Sequence, residues 1–193
     1  MLASNVTLLT ALVGLGMAFS LAAPPGPMNA LIASAATVKA LKGTVVGLGA
    51  VTADAIFLVL VLLLHGHIPS EFFKPVSIVG AFLLIFIAYK ILNSSSLEAS
   101  SVSGGYLTGL SLGLTNPFQI GWWLTVGLAM VYYFGLSSAL GFFTGLIIWI
   151  IAFPYFIWRI STRYGPRIIT IIRYASAVGL IVFAIYFIYI GLI

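Results

Sequence analysis

An uncharged run from Met1 to Val38 is interrupted by Ala23-Pro24-Pro25-Gly26-Pro27-Met28-Asn29. The run is long and apolar enough to ask for a membrane helix. Three prolines and a glycine in its interior forbid an unbroken one. Backbone freed at membrane depth survives only where protein buries it or where it lines a wet cavity. The rest of the chain has to supply one or the other.

That chain is a membrane protein by composition. Of its 193 residues, 62% are hydrophobic and 6% are charged, where a soluble domain carries about 25% charged residues. Long apolar runs, rather than short alternating segments, make it helical and not a barrel. The net charge of +5 does not point to nucleic acid, because the charges sit at the ends of apolar runs, as topology signals and lipid contacts do. With no cysteine, disulfides, thiolate metal sites and thiol redox chemistry are absent. The N-terminus lacks a basic region, so the first run is expected to be a retained span and not a cleaved signal.

The runs predict an all-α membrane protein of six spans. The first covers about Thr7 to Val38 and is closed by Lys39 and Lys42. The second covers Gly43–Leu64 and ends at His65-Gly66-His67. The third opens at Pro75 and ends near Leu92. Residues 93–105, rich in Ser and Gly, read as a linker. The fourth span, Tyr106–Phe134, is broken at Asn116-Pro117. The fifth runs from about Ser138 to Trp158, a basic segment Arg159–Arg167 follows, and Pro166 opens the sixth. Lys39, Lys42, Lys90, Arg159, Arg163, Arg167 and Arg173 then share one side, and Lys74 alone holds the other. By the positive-inside rule the basic side is cytoplasmic and both termini are outside, in the cell membrane.

The two halves carry the same features in the same order. Each opens with a proline-broken span, its second span starts with GxxxG (Gly43/Gly47 and Gly141/Gly145), and its third starts with proline (Pro75 and Pro166). With three spans per half, the second enters from the opposite side. The expectation is a single membrane domain, 1–193, of two inverted repeats, 1–92 and 106–193, around paired broken helices.

Two features could carry chemistry. A break frees the N–H groups of the half-helix that follows, and those groups with the helix dipole suit an anion. The candidates are Pro25, Gly26, Pro27 and Asn29 at the first break, and Asn116, Pro117 and Gln119 at the second, with Asn116 placed to cap the following helix. The same residues would also suit a simple kink, or a loop leading to a surface helix. Asp54 is the only acid inside a span and falls near its middle. Such residues face a cavity or a partner and mark a substrate or proton path. The bland alternative is a buried carboxyl held by Thr52, Asn29 or backbone.

Other features read more plainly. The GxxxG pairs suit close packing within the protomer or across a homodimer. His65, His67 and Glu71 offer an incomplete metal set, better read as a solvated turn. Arg159, Arg163, Arg167 and Arg173 suit anionic lipid head groups. Trp122, Trp123, Tyr132 and Tyr133 suit helix packing or the membrane interface, with stacking on a substrate as the alternative. No nucleotide loop and no catalytic dyad or triad is present, so no enzyme and no cofactor is expected.

Pro25-Gly26-Pro27-Met28-Asn29-Ala30-Leu31, the basic turn Lys39–Gly43 leading to Asp54, and Gly109–Pro117 together resemble the LysE/RhtB family of amino-acid exporters. The chain has Ala53-Asp54 where that family usually has Gly-Asp. The resemblance implies a secondary exporter of an amino acid or similar zwitterion, coupled to the proton gradient through Asp54. Divalent-metal export within the same superfamily is the nearer alternative. A non-transporting membrane protein or a membrane enzyme is the remoter one.

Overall fold

The computed structural model describes residues 2–24, 26–64, 73–93 and 105–192. Every regular element among them is helical. Helix α1 (Leu2–Ala22) leads to the proline cluster and α2 (Pro27–Ala36) leaves it. Helices α3 (Ala40–Leu64) and α4 (Phe73–Asn93) follow. Beyond the linker, α5 (Tyr106–Thr115) and α6 (Pro117–Trp122) flank Asn116. A π-helical turn, Trp123–Gly127, joins α6 to α7 (Leu128–Tyr164), and α8 (Pro166–Leu192) comes last.

Both expected breaks are present. Pro27 and Pro117 each stand in the first turn of a new helix, where the missing N–H would have been unpaired anyway. At the first break the axis turns by 83°. Leu31 to Ala36 of α2 are all buried, so α2 is not a surface helix.

The unbroken length of α7 conceals a reversal. Gly135 has φ 69 and ψ −173, a region that essentially only glycine occupies. Across it, Ser138 Oγ donates to the Met130 carbonyl at 3.3 Å, and the rings of Trp123 and Phe142 meet edge-on at 5.2 Å. The segments 128–134 and 136–164 therefore fold against each other. The basic segment from Arg159, expected as a loop, is instead helical to Tyr164. Exposed arginines do not stop a helix; Gly165, with φ 73, followed by Pro166 does. Helix α3 also starts three residues before Gly43, and α4 two before Pro75, because a charge or a proline is tolerated in a first turn.

Among the described residues, three stretches are long and apolar enough to cross a membrane: Ala40–Leu63, Pro117–Tyr164 and Pro166–Tyr189. The bent pair α1–α2 would make a fourth. Leu63, Phe82, Leu140 and Val182 are among many large apolar side chains exposed on the outer faces, which suits lipid and not water.

Two apolar clusters fill the interior. One joins Leu31 and Ile32 of α2 to Val46, Leu84, Leu112, Leu180 and Phe187. The other joins Ala18, Val61, Trp123, Met130, Phe142 and Leu146. Glycine sets the helix spacing. A methyl at Gly14 would overlap the Ser138 carbonyl oxygen, and one at Gly141 the Ala11 carbonyl oxygen. Gly49 and Gly109 do the same for α3 against α5, meeting the backbone of Tyr106 and Val46. Gly43 and Gly47 lie on Pro154 and Ile150, so the GxxxG faces are used inside the chain.

Candidate functional site

The two breaks and the buried aspartate surround one cavity of about 290 Å³. It lies at the join of the two apolar clusters, touched by Ile32 from one and Leu146 from the other.

Asp54 sits in the middle of α3 and is 3% exposed. Its Oδ1 accepts two hydrogen bonds, from Gln119 Nε2 at 2.7 Å and Trp123 Nε1 at 2.8 Å. Gln119 Nε2 also approaches the Ala50 carbonyl at 3.3 Å. Gln119 and Trp123 are four residues apart, so one helix face delivers both donors. No described residue hydrogen-bonds Oδ2 or pairs a positive charge with this carboxylate. Neither Thr52 nor Asn29 holds it: Thr52 Oγ1 donates to the Leu48 carbonyl at 2.9 Å and accepts from Tyr106 Oη at 2.9 Å.

The π-helical turn begins at Trp123. Such turns recur at functional sites, and here the turn carries a fully buried indole aimed at Asp54. Gly127 closes the turn. A methyl there would lie 2.6 Å from Trp123 Cε3 and 3.1 Å from Trp122 Cζ3, so a glycine leaves room for the rings.

The breaks differ in how their polar backbone is satisfied. At the first, Asn29 Nδ2 donates to the carbonyls of Ala22 at 2.6 Å and Pro24 at 2.9 Å, acceptors left over where α1 stops. Asn29 Oδ1 accepts from Trp149 Nε1 at 3.1 Å. Asn29 is thus largely engaged in holding the break together. No described side chain caps α2, whose N-cap is Gly26. Pro27 has no N–H, and the N–H groups of Met28 and Asn29 have no partner among the described residues. At the second break Asn116 Oδ1 accepts from the Phe118 N–H at 3.1 Å, the expected cap. The open N-terminus is therefore at the first break.

Of the sequence candidates, Gly26, Pro27, Asn29, Asp54, Asn116 and Gln119 line the cavity. Pro117 is buried in the first turn of α6 and is not in the wall. Pro25 lies outside the described residues, as do His65, His67 and Glu71. Trp122, Trp123 and Trp149 are the residues that sequence reasoning placed elsewhere or passed over. Trp122 and Trp149 line the cavity and Trp123 holds Asp54. The one available signal was the four-residue spacing of Gln119 and Trp123. Tyr132 and Tyr133 are exposed, as an interface reading requires.

A comparison with protein families matches residues 19–191 to the LysE type translocators. The chain belongs to the LysE type translocator family. The match takes in both breaks, all of α3 with Asp54, and nearly all of α8. This LysE type chain is accordingly a membrane transport protein and not an enzyme. No match was found among curated proteins or among solved structures.

Proposed function

We propose that this LysE type translocator is a secondary exporter of an amino acid or a similar small zwitterion, driven by the proton gradient. The observation that carries the proposal is the convergence of both breaks and Asp54 on one cavity. The substrate carboxylate meets the uncapped N–H groups of Met28 and Asn29, where the helix dipole favours an anion. The substrate ammonium meets Asp54 through its unpartnered Oδ2. Asp54 holds a proton when the ammonium is absent, and that exchange couples the gradient to transport.

The fold of the proposal is six spans in two inverted repeats, 1–92 and 106–193, rocking about the cavity. Two helix crossings support it. Gly14 and Gly141 bring the helix before the first break onto 136–164. Gly109 and Gly49 bring the helix before the second break onto α3. Exchanging the halves turns one crossing into the other.

A divalent cation fits the cavity less well. Two N–H donors point at Asp54 Oδ1, and donors there repel a metal. Among the described residues no three His, Cys, Asp or Glu side chains are grouped to share one. The test is gradient-driven transport in proteoliposomes across an amino-acid panel, with manganese as a separate arm. Wild type should move at least one amino acid and Asp54→Asn should lose gradient-driven movement. Transport of manganese alone would replace the proposal with metal export. Full gradient-driven activity in Asp54→Asn would remove the carboxylate from coupling.

A further inference from the structure

Among the described residues that line the cavity, Asp54 alone is charged. The others are neutral, and many are apolar: Leu21, Met28, Val51, Phe118, Leu146 and Trp149 all face the cavity. We infer that the substrate is an amino acid whose own side chain is uncharged and apolar. This rests on reading the cavity as an amino-acid site, and it specifies what that site accepts.

The first argument is charge balance. The zwitterion's ammonium uses Asp54 and its carboxylate uses the start of α2. A basic side chain would bring a second cation, but Asp54 is the sole acid among the described residues. An acidic side chain would bring a second anion, and no Lys or Arg is among the described residues that line the cavity. A charge taken from water without a partner is strongly disfavoured. The second argument is the wall. The Trp149 ring is fixed by its hydrogen bond to Asn29 at 3.1 Å and by stacking on Phe153 at 5.2 Å. Phe118 is fixed by stacking on Tyr186 at 5.3 Å. Rigid apolar rings reward an apolar side chain. The third is size. A cavity of about 290 Å³ falls just below the ~300–1,000 Å³ range of small-molecule sites, enough for one amino acid and too little for a peptide.

The experiment is competition for transport by the full chain in proteoliposomes under a pH gradient. Unlabelled leucine, methionine, phenylalanine, lysine, glutamate and manganese compete against whichever labelled amino acid is transported. The apolar amino acids should compete at concentrations at least about tenfold below lysine and glutamate. Lysine or glutamate competing as well as leucine overturns the inference and leaves amino-acid export standing. Transport of manganese with no amino acid overturns both. Val51→Asp adds a second carboxylate three residues from Asp54 on the same helix. It should improve competition by lysine about tenfold and weaken that by leucine. A folded variant that gains nothing for lysine refutes the charge-balance argument, and the wild-type panel decides alone if the variant does not fold.

Discussion

At the scale of single residues, the site depends on who holds Asp54. Its donors, Gln119 and Trp123, both come from the segment after the second break. Trp123→Phe keeps an aromatic ring against Phe142 but removes the indole N–H together with the rest of the five-membered ring, leaving a void at a fully buried position. A hydrogen bond to a charged group contributes about 1.5–3 kcal/mol, so transport should fall roughly 10- to 100-fold. The thermal unfolding temperature in detergent should also fall because of the void; transport lost only in proportion to that fall would make Trp123 a packing residue only. Asn29→Ala should act chiefly on stability. It strands the part-buried Ala22 carbonyl and the exposed Pro24 carbonyl, each now held by Nδ2, and an unsatisfied buried group costs about 1–3 kcal/mol. A clear drop in unfolding temperature is expected, and an unchanged one would show that water replaces the amide.

At the scale of elements, the punctuation of the chain was legible and its joints were not. Prolines at 27, 117 and 166, with the cap at Asn116, declared three helix starts, because proline and asparagine act locally. The π-helical turn at Trp123–Gly127 was not legible, since only the tertiary fit of two indoles selects it. The helix through Arg159 to Tyr164 was not legible either, since charge marks a membrane edge and not a helix end. Glycine gives a direct check. Gly135→Ala forces a side chain into a glycine-only conformation, costing about 1–3 kcal/mol. Gly121→Ala enters open space in a helix and should stabilise by roughly 0.5–1 kcal/mol. Similar unfolding temperatures for the two would refute the reversal at Gly135. Gly127→Ala should keep the fold but displace Trp123, and is expected to reduce transport more than stability.

At the scale of the whole molecule, a class of membrane protein and its family could be read from apolar runs and a few dipeptides. The meeting of the breaks could be argued only from the order of features, because nothing local says that residues 26 and 116 share a cavity. Sidedness is a prediction at this scale. The chain has no cysteine, so single cysteines report cleanly. Replacements at Lys42 and Arg163 should be shielded from an impermeant reagent added outside intact cells, and one at His67 should label. The reverse pattern would invert the proposed orientation.

The glycine crossings have a mechanical consequence. Where Gly14 meets Ser138 and Gly109 meets Val46, main chain rests on main chain. Such a contact has no side-chain teeth to disengage. Most helix pairs must unlock interdigitated residues before they shift, but these surfaces are smooth tracks, and small sliding of packed helices is a recognised route of conformational change. Friction in this translocator would then be lowest where these helices cross, and because even a methyl at Gly14 or Gly109 overlaps the facing main chain, a side chain placed on either track should force the helices apart.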